Sequence, residues 1–248
     1  DPAAGSVMAI AESLTTIVFA PLSDKLSGVS LSANWMWPCK NPGEDARLYK
    51  AVEACSRFAC ELGINIPTGK DSLSMTQKYG DEKVYSPGTV IISAGAEVSD
   101  VKKVVSPVLV RDARTAVYYI DFSFDALSLG GSAFAQSLGK VGCQAPTVQD
   151  SEYFASAFNA IQQLISEGLI LAGHDISAGG MITALLEMNF ANTEGGLEVK
   201  LDKLPEKDLI KILFSESRRA YSGQRPESCR ENTRRGRCGL RCCGASVQ

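Results

Sequence analysis

The sequence predicts an α/β chain of layered helices and strands, organised as two units and followed by a tail of different character. Three observations carry this. Apolar runs of strand length alternate with longer stretches that are apolar at helical spacing. A Pro-containing, mixed-charge segment, Ser99 to Arg114, interrupts that alternation near the middle. From Ser217 onward the composition changes abruptly. At 248 residues, 45% hydrophobic and 21% charged, the chain is long enough for one large or two modest cores. It has no run of about 18 uninterrupted apolar residues and no basic leader before a cleavage site, so membrane and secretory readings fall away and a cytoplasmic location is expected. Cys39, Cys55, Cys60 and Cys143 are scattered in apolar contexts without CxxC spacing, the pattern of reduced thiols rather than of zinc or disulfides.

The elements follow in order. Gly5 to Ala20 is apolar on most of its circumference, which predicts a helix buried on several sides. Its single charge is Glu12, which either points outward from a rim or is paired with a cation or metal, because an uncompensated buried carboxylate is costly. Ser30 to Trp37 reads as a strand with a bulky end. Pro42 to Leu62 reads as a long helix, opened by Pro42 with Glu44 and Asp45 in its first turn and closed by Gly63. The INIPTGKDSLSM stretch that follows departs from the phosphate loop GxxxxGK[ST] in its spacing and in Asp71. Lys70, Asp71 and Ser72 nevertheless place a cation, a carboxylate and a hydroxyl on one predicted turn, equally readable as a polar site or a charged hairpin end.

Val84 to Val98 contains a strong strand, VIISAGAEV. Beyond the boundary, Thr115 to Phe122 is strand-like, Leu129 to Gly139 helical, and Ser151 to Glu167 an amphipathic helix ending at Gly168. Gly195 to Leu204 reads as a further strand and Glu206 to Leu213 as a short helix.

The centre of the second unit is Ala172 to Phe190, AGHDISAGGMITALLEMNF. Gly173 to Gly180 packs the chain's single histidine, a carboxylate, a hydroxyl and three glycines into eight residues, ahead of a helical apolar pattern. This predicts a glycine-rich turn feeding a buried helix. Asp175 there can hold a divalent cation, and Ser177 or nearby amides at the helix start can contact a nucleotide. A capped helix after a tight turn accounts for the same residues, since Asp and Ser are ordinary N-cap residues.

The last 32 residues hold eight of the chain's twelve arginines and no lysine, isoleucine or phenylalanine. Residues 1–216 carry a net charge of −9 and the tail +6. Clustered arginine is the footprint of nucleic-acid binding, but with no aromatic interleaving beyond Tyr221 and no heptads, no nucleic-acid partner is expected. The genetic code gives a more specific account. Glu216 to Arg225 can be written in codons that, with two adenines restored after the Glu216 codon, encode ENPGVLIQVS, a turn followed by a strand. The tail is therefore read as frameshifted. Its few apolar side chains cannot offset an ordering cost of roughly 1–2 kcal/mol per residue, and it is expected to be disordered.

Three blocks, SANWMWPCKNPGEDARLY at 32–49, GKDSLSM at 69–75 and GHDISAGGMITALLEMNFA at 173–191, resemble the large, single-chain type of phosphoribosylformylglycinamidine synthase. This purine-biosynthesis ligase makes formylglycinamidine ribonucleotide from formylglycinamide ribonucleotide, ATP and glutamine. The resemblance covers residues 1 to about 216 and points to the second copy of a duplicated, aminoimidazole ribonucleotide synthetase-like two-domain unit. It implies a partial N-terminal-type domain at 1–106, a truncated C-terminal-type domain at 107–216, and the aberrant tail at 217–248. It further implies Mg2+ held by Glu12 and Asp175, with ATP or ADP contacted by Ser177, Lys70 and His174. A third family metal ligand, an asparagine one helical turn after the glutamate, is replaced here by Thr16; residues i and i+4 share a helix face, so position 16 can point with Glu12. No catalytic residue is assigned to this stretch. The implied partners are a small-molecule nucleotide and the remaining domains of the parent enzyme, the first synthetase copy and the glutaminase. A non-catalytic, nucleotide-binding scaffold is the alternative role.

Overall fold

The computed structural model describes residues 1–112, 115–202, 204–217, 219–224 and 242–245, the last two stretches as backbone strands. The first helix, α1 (Pro2–Ile17), is capped by the Asp1 carboxylate, which accepts from the amides of Ala3 and Ala4. It buries Ile10, Ala11 and Leu14 completely while Glu12 and Thr16 remain exposed on its rim. Strand β1 (Ser30–Met36) alternates, with Leu31, Ala33 and Trp35 turned into the core. Helix α2 (Glu44–Leu62) begins two residues later than Pro42 suggests, because Gly43 intervenes at φ 82°, a left-handed conformation outside the helix.

After α2 the sequence reading needs correction. Lys70, Asp71 and Ser72 do not form a turn or a hairpin end; they lie in strand β2 (Asn65–Ser72), which pairs parallel with β1. A hairpin does follow, β3 (Thr76–Tyr79) with β4 (Glu82–Tyr85), and then β5 (Thr89–Gly95) pairs antiparallel with β1. The first sheet is thus ordered β2-β1-β5. Helix α2 joins β1 to β2 and that pair is parallel, whereas β5 returns from the hairpin rather than from a helical crossover and pairs antiparallel.

In the second half, β6 (Ala116–Asp121) is followed by α3 (Ala133–Ser137), much shorter than the helical stretch predicted there, and by α4 (Ser151–Ser166), capped by Asp150. Strand β7 (Ile170–Ile176) leads to α5 (Gly180–Asn189). The described residues of the stretch Gly195 to Leu204, predicted as a strand, form none beyond a single bridge residue, Val199. Helix α6 (Leu209–Phe214) follows.

The expectation of a disordered tail is corrected for ten residues. β8 (Arg219–Gln224) lies between β7 and β6, and β9 (Cys242–Ala245) on the far side of β6, all pairs being antiparallel. Two flanking strands present facing rows of backbone N–H and C=O groups, and a segment between them satisfies those groups through its main chain whatever its side chains. The rest of the predicted tail lies outside the described residues.

One of the two hydrophobic cores draws on residues from both sides of the 99–114 segment. α1, α2 and β1 share one cluster with Ile120, Phe122 and the buried face of α4. There the Phe154 ring packs against Phe58 of α2 at 5.8 Å and against Phe122 at 5.4 Å. A smaller cluster joins β6, β7, α5 and α6 through Val117, Ala172, Ile176, Met181, Met188 and Ile212.

Candidate nucleotide and metal site

The structure redistributes the glycine-rich stretch. Gly173, His174 and Asp175 are the last part of strand β7, not of a turn; only Ser177 to Gly179 turn the chain into α5. Gly179 and Gly180 both take left-handed conformations, φ 86° and 74°, which the turn requires. Asp175 and Ser177 are half-buried where the strand ends.

His174 is engaged on both ring nitrogens. Nδ1 lies 2.6 Å from the Asp175 carbonyl oxygen and 3.5 Å from its carboxylate; Nε2 lies 3.2 Å from the Glu187 carboxylate of α5. Only the doubly protonated ring donates on both sides. Correspondingly, its pKa is raised, first by the bond to the Asp175 side chain and against a lowering by burial, with the Asp175 backbone and the Glu187 charge adding to the rise.

Sequence reasoning missed Glu216. Its Oε1 accepts from the Gly179 amide at 2.9 Å and from the Ala133 amide at 2.7 Å, so one carboxylate oxygen ties the start of α5 to the start of α3. Free amides at a helix start favour an anion, and here the chain supplies one of its own. A carboxylate 37 residues along the chain from Gly179 has no periodic signature that could reveal the contact.

Across the core, Glu12 lines a cleft of about 440 Å³ between α1 and β5, together with Ser13, Thr16 and Ile91. The Thr16 hydroxyl donates to the Glu12 carbonyl at 2.8 Å, which spends its proton but leaves its oxygen able to act as a ligand. Lys70 stands elsewhere. It pairs in register with Asn34, on the face of the first sheet opposite to buried Ala33 and Trp35, and is exposed, its Nζ 3.5 Å from the Ser72 hydroxyl. The structure does not bring it to α1. Among the described residues, no three His, Cys, Asp or Glu side chains converge on one point. A magnesium site would therefore rest on one or two carboxylates completed by phosphate and water oxygens, a set that suits this ion, and Glu12 and Asp175 fit it in kind.

Residues 1–97 match the FGAR-AT PurM N-like domain, and residues 121–222 match the C-terminal domain of AIR synthase related proteins. The chain is 40% identical over 217 residues to human phosphoribosylformylglycinamidine synthase and 41% identical over 198 residues to the Drosophila melanogaster enzyme of that name. The chain belongs to the phosphoribosylformylglycinamidine synthase family. The human alignment takes in 87% of this chain but 16% of the relative, and the Drosophila alignment 79% and 14%. Among solved structures, Thermotoga maritima PurL complexed with FGAR superposes on 100% of this chain and 39% of its own, with a TM-score of 0.72 at 18% identity. The hydrogenase maturation protein HypE in complex with ATP covers 98% and 70%, with a TM-score of 0.67 at 17% identity. The synthase-family fold is thus shared at identities where sequence alone carries little.

Proposed function

We propose that this chain is part of the ATP-dependent ligase that converts formylglycinamide ribonucleotide and glutamine to formylglycinamidine ribonucleotide and glutamate, with ATP giving ADP and phosphate. Within it, the chain serves as the second synthetase repeat. The observation that carries this is the 40% identity to synthases along nearly the whole body of the chain. Residues 1–106 form the N-terminal-type domain of that repeat, 107–216 its C-terminal-type domain, and 217–248 a frameshifted extension. The location is cytoplasmic.

In this reading Glu12 and Asp175 hold Mg2+ and Ser177 meets the nucleotide. The metal, when bound, neutralises phosphate charge. His174 acts from within the site, as a cationic ring holding the Asp175 carboxylate near the phosphates. Lys70 meets a phosphate group approaching from the open face of the first sheet. That face carries Asn34, Met36, Ser93 and the half-exposed Ile91 and is where the remaining domains of the parent enzyme dock.

A second role, nucleotide held without turnover, is favoured by His174 itself. An imidazole engaged on both nitrogens is suited to holding rather than to proton transfer. Nucleotide turnover by the full-length parent enzyme carrying Asp175→Asn separates the two roles, because only a catalytic site slows.

The site itself is tested by calorimetric titration of ADP with and without magnesium. Asp175→Asn should weaken magnesium-dependent binding about tenfold or more, and Thr16→Asn, which restores an amide oxygen, should tighten it. Equal affinities in all three proteins would remove the site from this place.

A further inference from the structure

The groups assigned to metal sit on different halves of the chain, Glu12 on α1 with Thr16 one turn along, and Asp175 on β7, so something must fix one half against the other. The chain leaving α1 is gripped by α4. The Gln162 side chain, 3% exposed, donates from Nε2 to the carbonyls of Val18 at 2.6 Å and Ala20 at 3.0 Å, while its Oε1 accepts from the Leu22 amide at 2.8 Å. One turn earlier on α4, Asn159 accepts from the Leu26 amide at 3.1 Å. Every hydrogen-bonding position of the Gln162 amide group but one is thereby committed to residues 18–22, a buried arrangement that is costly to leave half-made.

The gripped segment touches β7. Phe19, buried, lies against Gly173 so closely that a Cβ on Gly173 would come within 2.2 Å of the ring. The backbone is stitched there as well. Val105 donates to the Phe19 carbonyl at 3.0 Å, and Gly173 donates to the carbonyl of the next residue, Ser106, at 3.1 Å. Gly173 precedes Asp175 by two strand residues, about 7 Å. Phe19 follows Glu12 by seven, about 10 Å at helical rise.

We propose that Gln162 and the Phe19–Gly173 contact are positioning elements that set α1 against β7 and so fix the spacing of Glu12 and Thr16 from Asp175. This rests on the assignment of the magnesium-nucleotide site to those residues. Gly173 is glycine here because the Phe19 ring occupies the space of a side chain, not because the strand needs its flexibility.

The test uses the 248-residue chain, with ADP and magnesium as probes, titrated well below the melting temperature of each variant. Gly173→Ala should displace the Phe19 ring and lower magnesium-dependent ADP affinity about tenfold, and adding Phe19→Leu, which makes room, should recover most of the loss. Gln162→Met, which leaves three backbone groups unpaired, should lower affinity to a similar degree without touching the contact itself. A purely structural role would lower melting temperatures and leave these affinities unchanged. If the unsubstituted chain binds no ADP with magnesium, the site assignment fails and this inference fails with it. If binding is present, is lost in Asp175→Asn, and is unchanged in Gly173→Ala and Gln162→Met, this inference alone is overturned.

Discussion

The side chains of β7 show how much chemistry one residue's neighbours decide. His174 is drawn by the Asp175 carboxylate and the Glu187 charge above its ordinary value of 6.5. A group whose folded pKa is raised stabilises the fold fully below its unfolded value and loses that contribution as the pH rises through the folded one. The difference in melting temperature between the parent and His174→Gln should therefore be largest below about pH 6.5 and shrink on the alkaline side. Thermal denaturation across that range reads it directly, and a difference that grew with pH would contradict the pairing. Asp175 and Ser177 were legible as candidates because they fall in a short motif of unusual density. Glu216 and Gln162 were not, because each acts on backbone groups remote in sequence, and a lone Glu or Gln in a helix or loop gives no local sign of such a partner.

At the level of elements, apolar residues at helical spacing identified α1, α2, α4 and α5 to within a few residues, α1 as a helix buried on several sides and the others by one buried face. The pattern failed where polar sequence is held by main-chain pairing. β2 reads as loop because nearly all of it is exposed, and it is a strand because β1 offers it a parallel ladder. β8 is the sharper instance. The register sets position 220 opposite Ile120 and Asp175, and position 222 opposite Tyr118 and Gly173. A strand with neighbours on both sides gains from apolar, β-branched residues, and the frame restored after Glu216 supplies them, Gly-Val-Leu-Ile-Gln-Val across 219–224. A variant carrying Asn-Pro-Gly-Val-Leu-Ile-Gln-Val at 217–224 should melt roughly 5 °C higher than the chain as it stands, from several additional buried methyl and methylene groups at about 0.8 kcal/mol each. Calorimetric unfolding of the two proteins measures it; a lower melting point would speak against both the frameshift and the register.

On the scale of the whole molecule, α1, α2, β1 and α4 share one hydrophobic core that spans the boundary between the two halves. The sequence marks the boundary at 99–114 by composition but carries no sign that α4 crosses it, since an apolar helix face does not name its partner. Release of ammonia from glutamine by a thiol requires a cysteine of lowered pKa beside a base. Burial instead raises the Cys55 thiol to about 11, and burial with the Asp45 and Glu44 charges raises that of Cys39. The chain's single histidine is committed to Asp175 and Glu187. The relatives are more than five times as long as this chain, with 14% and 16% of their lengths covered in the Drosophila and human alignments. The purified chain should accordingly release no glutamate from glutamine, and should form no formylglycinamidine ribonucleotide from its substrate and ATP with either glutamine or ammonium as nitrogen donor. The ammonium arm separates a missing glutaminase from a missing synthetase site. Product from ammonium alone would show that one repeat suffices for the ligation, and glutamate release would reveal an activated thiol outside those described.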